Sequence, residues 1–396
     1  MNNPTCLAPA MKETLSLVTP RETHDVVTPA CDALFVLSSL AVGGSERKIA
    51  RMANRLKEDG VAVNLACLNA PYTLESTLRR DVPLTKLERR GKFSFATVLK
   101  LRQMIVRDRP ATVVAVNLYQ ALYVACATLF SPKRPRIVAL VNTSTFRGRH
   151  FRKWLYQTVL SRFDLVVHGS QAQTRFWEGP DRSTVIYNGV DSTHFDPIES
   201  FEAAKRLRAS LGVKPGALLI GSVGRLAPEK NHEVLLTTLR RLRVARVDAH
   251  LVIAGSGPLR EQLLRRAAEL EIADRVNLIG EFEDVRPVLA AMDLFVLPSV
   301  AVESFSNAAL EAMSMGKPVI LSDIGGAREM IDDGVEGYVV SATELSARLP
   351  AIIAALYADT RKRQGMGAAA RARAMSRFSV AGMAAAYRGL LHGEVS

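Results

Sequence analysis

Two cations and two acids in the second half of the sequence have the types and spacing to bind phosphate and vicinal hydroxyls. Arg225 and Lys230 follow the apolar run Leu218–Val223, and Asn231 is positioned to cap the helix predicted after them. Cations beside a helix N-terminus suit a diphosphate, because positive charge and open backbone N–H groups occur together there. Gly224 precedes them and lets the backbone pass close to a ligand. The alternative is a solvated basic loop.

The two acids belong to a second segment further along the chain. Glu303 lies in a loop after a predicted strand, and Glu311 follows about one and a half turns into the next helix. Phe305 and Ser306 occupy the start of that helix, where unpaired amides can face an anion or sugar hydroxyls. Two acids separated in this way can each hold a different pair of vicinal hydroxyls. The alternatives are a helix cap for Glu303 and a surface position for Glu311.

The elements around these residues alternate between short apolar runs and longer helix-like stretches. Predicted strands cover residues 33–38, 61–68, 112–116, 136–141, 165–168, 218–223, 249–254, 276–279, 294–298 and 318–322. A turn-rich segment at residues 188–197 separates the two series. The alternation predicts an α/β protein with two doubly wound, Rossmann-like domains, each with a parallel sheet covered by helices. Ligands then bind at the C-terminal strand ends, in the cleft between the domains.

Composition and charge exclude several classes of protein. The 396 residues are 48% hydrophobic and 23% charged, which is ordinary for a globular chain but too long for one core. The formal charge is +13, and most of the excess lies in residues 1–200. A basic surface attracts phosphates, although a merely solubilising surface explains the charge equally well. No recognition-helix, RNP-like or zinc-finger signature accompanies it, so we expect no nucleic-acid partner.

Cysteine and hydropathy patterns indicate the compartment. The four cysteines lie far apart without a CxxC pair, so we expect neither a disulfide framework nor a zinc site. No stretch approaches the roughly 18–20 apolar residues that span a bilayer, and no secretory signal is evident. We therefore expect a cytoplasmic protein. Basic patches within residues 79–92 and 133–153 suit peripheral contact with the anionic inner face of the cytoplasmic membrane, with an ordinary packed helix as the alternative for the second.

An ordered set of motifs resembles the family-four glycosyltransferases, retaining enzymes of the GT-B fold. The segments are GGSER (43–47), IYNGVDSTHF (186–195), VGRLAPEKN (223–231), IAGSGP (253–258), ESFSNAALE (303–311) and DDGVEGYVV (332–340). The resemblance covers most of the chain from about residue 32. Residues 1–31 are polar and interrupted by prolines, and we expect them to form a flexible extension. The resemblance implies an acceptor-side domain at 32–195 plus 378–396 and a nucleotide-sugar-binding domain at 196–377. The C-terminal helix is thereby assigned back to the first domain.

The resemblance also implies roles for the residues on the donor side. The N-domain loop that approaches the donor phosphates is matched by Gly43 and Gly44, and the diphosphate-binding pair by Arg225 and Lys230. Glu303 matches the acid that contacts the transferred sugar, and Glu311 the acid that holds the ribose hydroxyls. Phe305 and Ser306 match positions whose backbone faces sugar and phosphate. Gly255 and Gly257 are expected to shape a turn near the nucleotide, and Glu329 is interpreted first as structural.

On the acceptor side the sequence departs from the family pattern. Asn117 and Asn142 stand where family members often have histidine. Both can donate and accept hydrogen bonds, but neither titrates, so they are only candidate acceptor residues. His168, at a strand end, is interpreted as structural.

Taken together, the resemblance implies a retaining, metal-independent transferase. It would move a sugar from a nucleotide-sugar donor, with UDP expected, to a glycan or lipid-linked acceptor in cell-surface polysaccharide or lipopolysaccharide synthesis. We expect no cofactor and no metal, because the sequence has no D-x-D segment and no convincing cluster of ligands. A nucleotide-sugar epimerase, a phosphorylase and a non-catalytic nucleotide-sugar binder on the same fold remain alternatives.

Overall fold

The first half of the chain folds around one parallel sheet. The computed structural model describes residues 31–41, 43–129, 131, 134–142, 150–176, 182–301 and 303–394, without the side chains of residues 150–152 and 176. The elements of this half are β1 (Cys31–Leu37), α1 (Gly44–Glu58), β2 (Val63–Cys67), β3 (Leu84–Lys86), α2 (Phe95–Asp108), β4 (Pro110–Val116), α3 (Leu118–Ala127), β5 (Arg136–Val141), α4 (His150–Leu160), β6 (Leu165–His168), α5 (Gln171–Phe176) and β7 (Ser183–Val185). Their strand order is β3-β2-β1-β4-β5-β6-β7.

The second half repeats the plan with a smaller sheet. Its elements are α6 (Phe201–Ser210), β8 (Leu218–Val223), α7 (Glu233–Val244), β9 (Ala249–Ala254), α8 (Arg260–Glu269), β10 (Val276–Gly280), α9 (Arg286–Ala291), β11 (Leu294–Leu297), α10 (Asn307–Ser314), β12 (Val319–Ser322), α11 (Ala327–Met330), β13 (Gly337–Val340), α12 (Leu345–Ala358), α13 (Thr360–Arg377) and α14 (Val380–Leu391). The strand order is β10-β9-β8-β11-β12-β13, and all pairs in both sheets are parallel. The predicted pair of doubly wound sheets is confirmed.

Burial explains why these runs form parallel strands. Every residue of β6, β9, β11 and β12 is buried, and helices cover both faces of each sheet through four apolar clusters. Such strands are continuously apolar, because neither face meets water. The strands that the sequence did not predict, β3, β7 and β13, are edge strands of the two sheets.

The strand order determines where a ligand can bind. It reverses between β1 and β4 in the first sheet and between β8 and β11 in the second. At such a switch point the connections on either side run to opposite faces of the sheet and leave a crevice at the carboxyl ends of the strands. The loops after β1, β4, β8 and β11 therefore carry the residues available to a ligand, and all the predicted site residues except Asn142 and Glu311 lie in these loops or at the first residues beyond them.

The C-terminal helix α14 packs on the first sheet. Met383, Tyr387 and Leu390 are buried in one apolar cluster with Ile49 and Met52 of α1. Helix α14 therefore contacts the first half of the chain, and the assignment of residues 378–396 to the first domain stays a prediction. The proposed division at residue 195 remains a prediction, and Phe195 itself packs in the core of the second sheet, with Val190.

Several local predictions need correction or lie outside the structure. Cys31, assigned to the extension, is the first residue of β1, and the remainder of that extension lies outside the described residues. Asn231 does not cap α7: it has a left-handed backbone (φ 51°) after a turn of 3-10 helix, and His232 holds the N-cap position. Much of the second basic patch, residue 133 and residues 143–149, is likewise outside the described residues. In the part of the chain that is described, no helix combines the length and apolarity needed to cross a bilayer.

Candidate functional site

One cavity of about 1050 Å³ lies between the two sheets, at the carboxyl ends of their strands. Every site residue predicted from the sequence lines it, from both halves of the chain. These residues are Gly43, Gly44, Asn117, Asn142, Gly224, Arg225, Lys230, Glu303, Phe305, Ser306 and Glu311. Residues separated by up to 268 positions in the sequence are thus brought to a single site, although this arrangement alone does not test their individual roles.

The wall from the first half is the N-terminus of α1. Gly43 holds the N-cap position with extended backbone and offers no side-chain cap, but the carboxylate of Glu46 in the first turn lies beside Gly43 and accepts a backbone N–H bond there. A helix N-terminus attracts anions through its N–H groups and the helix dipole, and Glu46 supplies one such anion from within the helix. Gly44 meets the other half directly, because its carbonyl accepts a hydrogen bond from Asn307 Nδ2 at 2.7 Å.

The loop after β8 forms the opposite wall. Gly255 and Gly257 approach it so closely that a Cβ on either would collide with the backbone of Gly224 or Leu226. Both glycines also line the cavity, so they shape the turn as predicted and border the site as well. Their lack of side chains lets the segment that carries Arg225 settle against its neighbour.

Both predicted cations form ion pairs with acids. Lys230 Nζ contacts the carboxylate of Glu303, which also accepts from Ser299 Oγ at 3.3 Å. Arg225 pairs with Glu229, four residues on, and its side chain is 69% exposed. Arg225 can therefore move toward a ligand at little cost, whereas Lys230 is held at the base of the cavity beside Glu303.

The loop before α10 is tightly supported. Ser306 caps α10, its hydroxyl accepting from Ala309 N at 3.3 Å, so Glu303 is not the cap. Gly325 has left-handed backbone (φ 55°), and a Cβ there would collide with the carbonyl of Glu303. A Cβ on Gly326 would lie only 2.7 Å from the ring of Phe305. Gly325 and Gly326 thus hold the loop in place by close backbone packing.

Glu311 is a buried acid with a cation from the other half of the chain. It is 7% exposed, which excludes the alternative of a helix surface position. Its Oε1 accepts from Arg51 Nη1 at 3.1 Å, and Arg51 also lies over the ring of Phe195, 5.1 Å from the centroid. Burial raises the pKa of Glu311, while Arg51 acts in the opposite direction by favouring the charged form.

The two asparagines lie on the first-sheet side of the cavity. Asn117 has φ 75°, and its backbone N–H donates to Leu140 O at 2.7 Å, which holds it at the start of α3 without a side-chain cap. Asn142 Nδ2 is buried and finds no hydrogen-bond partner within the described residues. Such a donor is costly unless something fills the space beside it, so Asn142 is available to a ligand. Their role toward an acceptor stays a prediction.

Two further residues discussed from the sequence, Glu329 and His168, do not line the cavity and act as structural supports. The carboxylate of Glu329 accepts from the backbone N–H groups of Gln171 and Ala172 at 2.7 and 2.8 Å, which joins α11 to the start of α5 in the other half. His168 is 2% exposed, and burial lowers its pKa to about 4. Both agree with the structural interpretation of these residues.

Sequence reasoning missed several polar residues of the cavity wall, among them two cations and an amide. Lys48 and Arg51 lie on α1, and Asn188 lies in the segment that links the two sheets. The signal was the spacing of Gly44, Lys48 and Arg51, which are four and then three residues apart and so share one helix face. Among the described residues no group of three or more His, Cys, Asp or Glu could hold a metal ion. The expected metal independence stays a prediction.

Family models match both halves of the chain. The model described as Glycosyltransferase Family 4 matches residues 42–194, and the model described as Glycosyl transferases group 1 matches residues 204–373. The lipopolysaccharide core biosynthesis mannosyltransferase LpsB of Rhizobium meliloti is 32% identical over 249 residues, 61% of this chain and 67% of that protein. The GDP-mannose-dependent alpha-(1-6)-phosphatidylinositol monomannoside mannosyltransferase of Mycolicibacterium smegmatis is 34% identical over 191 residues, 46% of this chain and 49% of that protein. The chain thus spans about half the length of this second relative.

Solved structures match the whole arrangement of the two halves. HepE of Anabaena, in complex with UDP, superposes with a TM-score of 0.80 at 25% identity, over 91% of this chain and 99% of that chain. The lipopolysaccharide outer core galactosyltransferase WaaB superposes with a TM-score of 0.70 at 19% identity, over 91% and 99%, a likeness of fold alone.

Proposed function

Because this chain belongs to the family-four glycosyltransferases, enzymes of the GT-B fold, we propose that it transfers a sugar, with retention, from a nucleotide-sugar donor to a glycan or lipid-linked acceptor. The observation that carries the proposal is the convergence of Arg225, Lys230, Glu303 and Glu311 on one cavity, which the N-terminus of α1 also lines. The two cations and the helix amides suit a diphosphate. The two acids suit hydroxyls at either end of it.

Charge that develops during the reaction explains the choice of residues. Breaking the anomeric C–O bond gives an oxocarbenium-like sugar and places negative charge on the departing diphosphate. Arg225, Lys230 and the amides near Ser306 would stabilise that charge. The departing phosphate oxygen would then accept the proton of the acceptor hydroxyl as that hydroxyl bonds to the anomeric carbon. Attack from the face of the leaving group retains the configuration, and Glu303 positions the sugar.

The proposed donor is a UDP-sugar, and the proposed process is the synthesis of cell-surface polysaccharide or lipopolysaccharide. UDP in the HepE crystal structure supports the uracil nucleotide, whereas the Mycolicibacterium relative, by its description, depends on GDP-mannose. The lipopolysaccharide core function of the Rhizobium relative supports the process. We place the protein in the cytoplasm, with the basic first half as a candidate contact for the inner face of the membrane. A thermal-shift series with UDP, GDP and their sugars would separate the two nucleotides.

The proposal is tested by the donor-site cations and the ribose-side acid. Arg225→Ala, Lys230→Ala and Glu311→Ala should each lower sugar transfer, by about 10²- to 10³-fold for the groups that stabilise charge. Activity of the native protein should persist in excess chelator. Arg265→Ala, at an exposed position on α8, is the matched control and should be neutral. Near-normal transfer in all three variants, measured with chelator present, would show that this site is not the donor site.

The alternatives predict different products. An epimerase on the same fold would change the sugar of the donor without an acceptor, and a non-catalytic binder would leave the donor unchanged. Chromatography of the donor and acceptor after incubation separates the three outcomes, because only a transferase releases the nucleoside diphosphate together with an extended acceptor.

A further inference from the structure

One face of α1 spans the cleft between the two halves. At one end of the face, Gly44 O accepts from Asn307 Nδ2, and at the other end Arg51 pairs with Glu311. Lys48 lies between them on the same face, four residues from the first and three from the second. Its side chain therefore enters the cleft at the level of the loop before α10.

Lys48 is buried and joins the two halves through a short hydrogen-bonded chain. It is 6% exposed and lines the cavity. Its Nζ donates to Asn188 Oδ1 at 2.9 Å, and Asn188 Nδ2 in turn donates to Phe305 O at 2.7 Å. Phe305 directly precedes the cap of α10, so the ammonium lies two hydrogen bonds from the loop proposed to face sugar and phosphate.

The charge of Lys48 distinguishes it from the other cations of the site. Lys230 and Arg225 are both paired with acids, Glu303 and Glu229. Across the described residues, by contrast, no carboxylate forms an ion pair with Lys48. Burial lowers its pKa to about 8, because a charged ammonium is poorly solvated there. A buried cation without a counter-ion is costly, and an anion entering the cavity would compensate it.

The unused N–H groups of the Lys48 ammonium indicate what kind of anion would bind beside it. A lysine ammonium carries three N–H donors, and one of them is used on Asn188. On the premise of the proposed donor site, we propose that Lys48 is a further ligand of the donor diphosphate, contacting its oxygens from the wall opposite Arg225 and Lys230. Because it reaches the diphosphate from the first domain, it couples donor binding to the approach of the two halves.

A purely structural role would use the same hydrogen bonds, so the experiment measures the diphosphate separately from the fold. UDP, GDP and inorganic pyrophosphate are titrated calorimetrically into the native protein, Lys48→Met and Asn188→Asp. Asn188→Asp is nearly isosteric and gives Lys48 a carboxylate partner, which neutralises the charge and keeps the contact with Lys48. It also loses the hydrogen bond to Phe305 O, so Lys48→Met, which leaves that bond in place, is the primary test. Arg55→Met, on the exposed side of α1 beside Asp59, is the control. Circular dichroism and thermal melting report whether each variant is folded.

We expect Lys48→Met to weaken binding of the better nucleoside diphosphate and of pyrophosphate by about 10- to 100-fold, the value of a charge-assisted hydrogen bond. Asn188→Asp should weaken both in the same direction, and binding of the parent nucleoside should not change. Unchanged diphosphate affinity in folded Lys48→Met or Asn188→Asp would overturn the inference and would leave Lys48 with a purely structural role. Absence of diphosphate binding by the native protein would instead overturn the proposed function, and this inference with it.

Discussion

The ion pair between Arg51 and Glu311 makes a strong prediction about stability. Replacing Arg51 with Met leaves Glu311, which is 7% exposed, without its cation. Breaking a fully buried pair in this way costs about 3–5 kcal/mol. The side chain of Arg51 is 29% exposed, so water screens part of the interaction, and we expect a loss of about 1–3 kcal/mol. Loss of the contact with Phe195 adds about 0.5–1 kcal/mol.

The pH dependence of this loss follows from the pKa of Glu311. Burial raises that pKa, and removing Arg51 raises it further. A carboxyl whose pKa is raised by folding contributes its full stability below the ordinary value of about 4.3, and loses it as the pH rises through the folded value. The defect of Arg51→Met should therefore be larger at pH 7.5 than at pH 5, because the neutral acid tolerates burial better than the carboxylate.

Urea unfolding at the two pH values measures the effect, with two further variants. Arg51→Met/Glu311→Gln removes the unpaired charge and should recover part of the loss at pH 7.5. Arg55→Met, which breaks only the partly exposed pair with Asp59 at the end of the same helix, should change the free energy of unfolding by less than about 1 kcal/mol. If the double variant were no more stable than Arg51→Met, and the defect did not change with pH, the reasoning from buried charge would be refuted.

Three further predictions concern stability. Burial lowers the pKa values of His168 and His232 to about 4, so the unfolded chain binds more protons than the folded chain below pH 6.5. The free energy of unfolding should therefore fall by about 1.4 kcal/mol per pH unit per histidine as the pH is lowered from 6.5 to 4. His168→Gln should flatten that slope in an acid titration. Gly325→Ala should lower the free energy of unfolding by about 1–3 kcal/mol more than Gly334→Ala. Both glycines have left-handed backbone, but only the Cβ at residue 325 would collide with the loop before α10. Thermal melting of the two variants measures the difference. Glu329→Ala should cost about 1–2 kcal/mol of stability by freeing two amides of α5, and Glu329→Gln less, whereas equal loss in both would contradict a hydrogen-bonding role.

Most of the fold could be predicted because buried parallel strands leave a clear mark on the sequence. The bounds predicted for β5, β6, β8 and β9 agree with the structure at both ends. Edge strands carry a weaker mark, since one side lacks a neighbour and fewer of their residues are buried. In β3 and β7 every residue is at least partly exposed, so no apolar run in the sequence indicates these strands.

The residues that line the cavity in the loops after β8 and β11 could be predicted for a related reason. Their loops follow strands at the switch point of the second sheet, and glycine, cationic and acidic residues in such loops form a recognisable order along the chain. Lys48 and Arg51 share a helix face with Gly44, but this spacing did not suffice to predict their burial, because a basic residue in an amphipathic helix is ordinarily a surface residue. Asn231 was mistaken for a cap because the sequence did not reveal the extra turn of 3-10 helix before α7.

The sequence by itself determined the alternation of strands and helices, the two-sheet plan and the loops that would meet a ligand, because these depend on local pattern and on the rules of parallel sheets. Only the tertiary structure decided which charges are buried and which are paired. Arg51 meets Glu311 and Lys48 meets Asn188 across 260 and 140 residues of sequence. Desolvation and Coulomb energy depend on distance and surroundings in space, and neither quantity is set until the two halves have packed together.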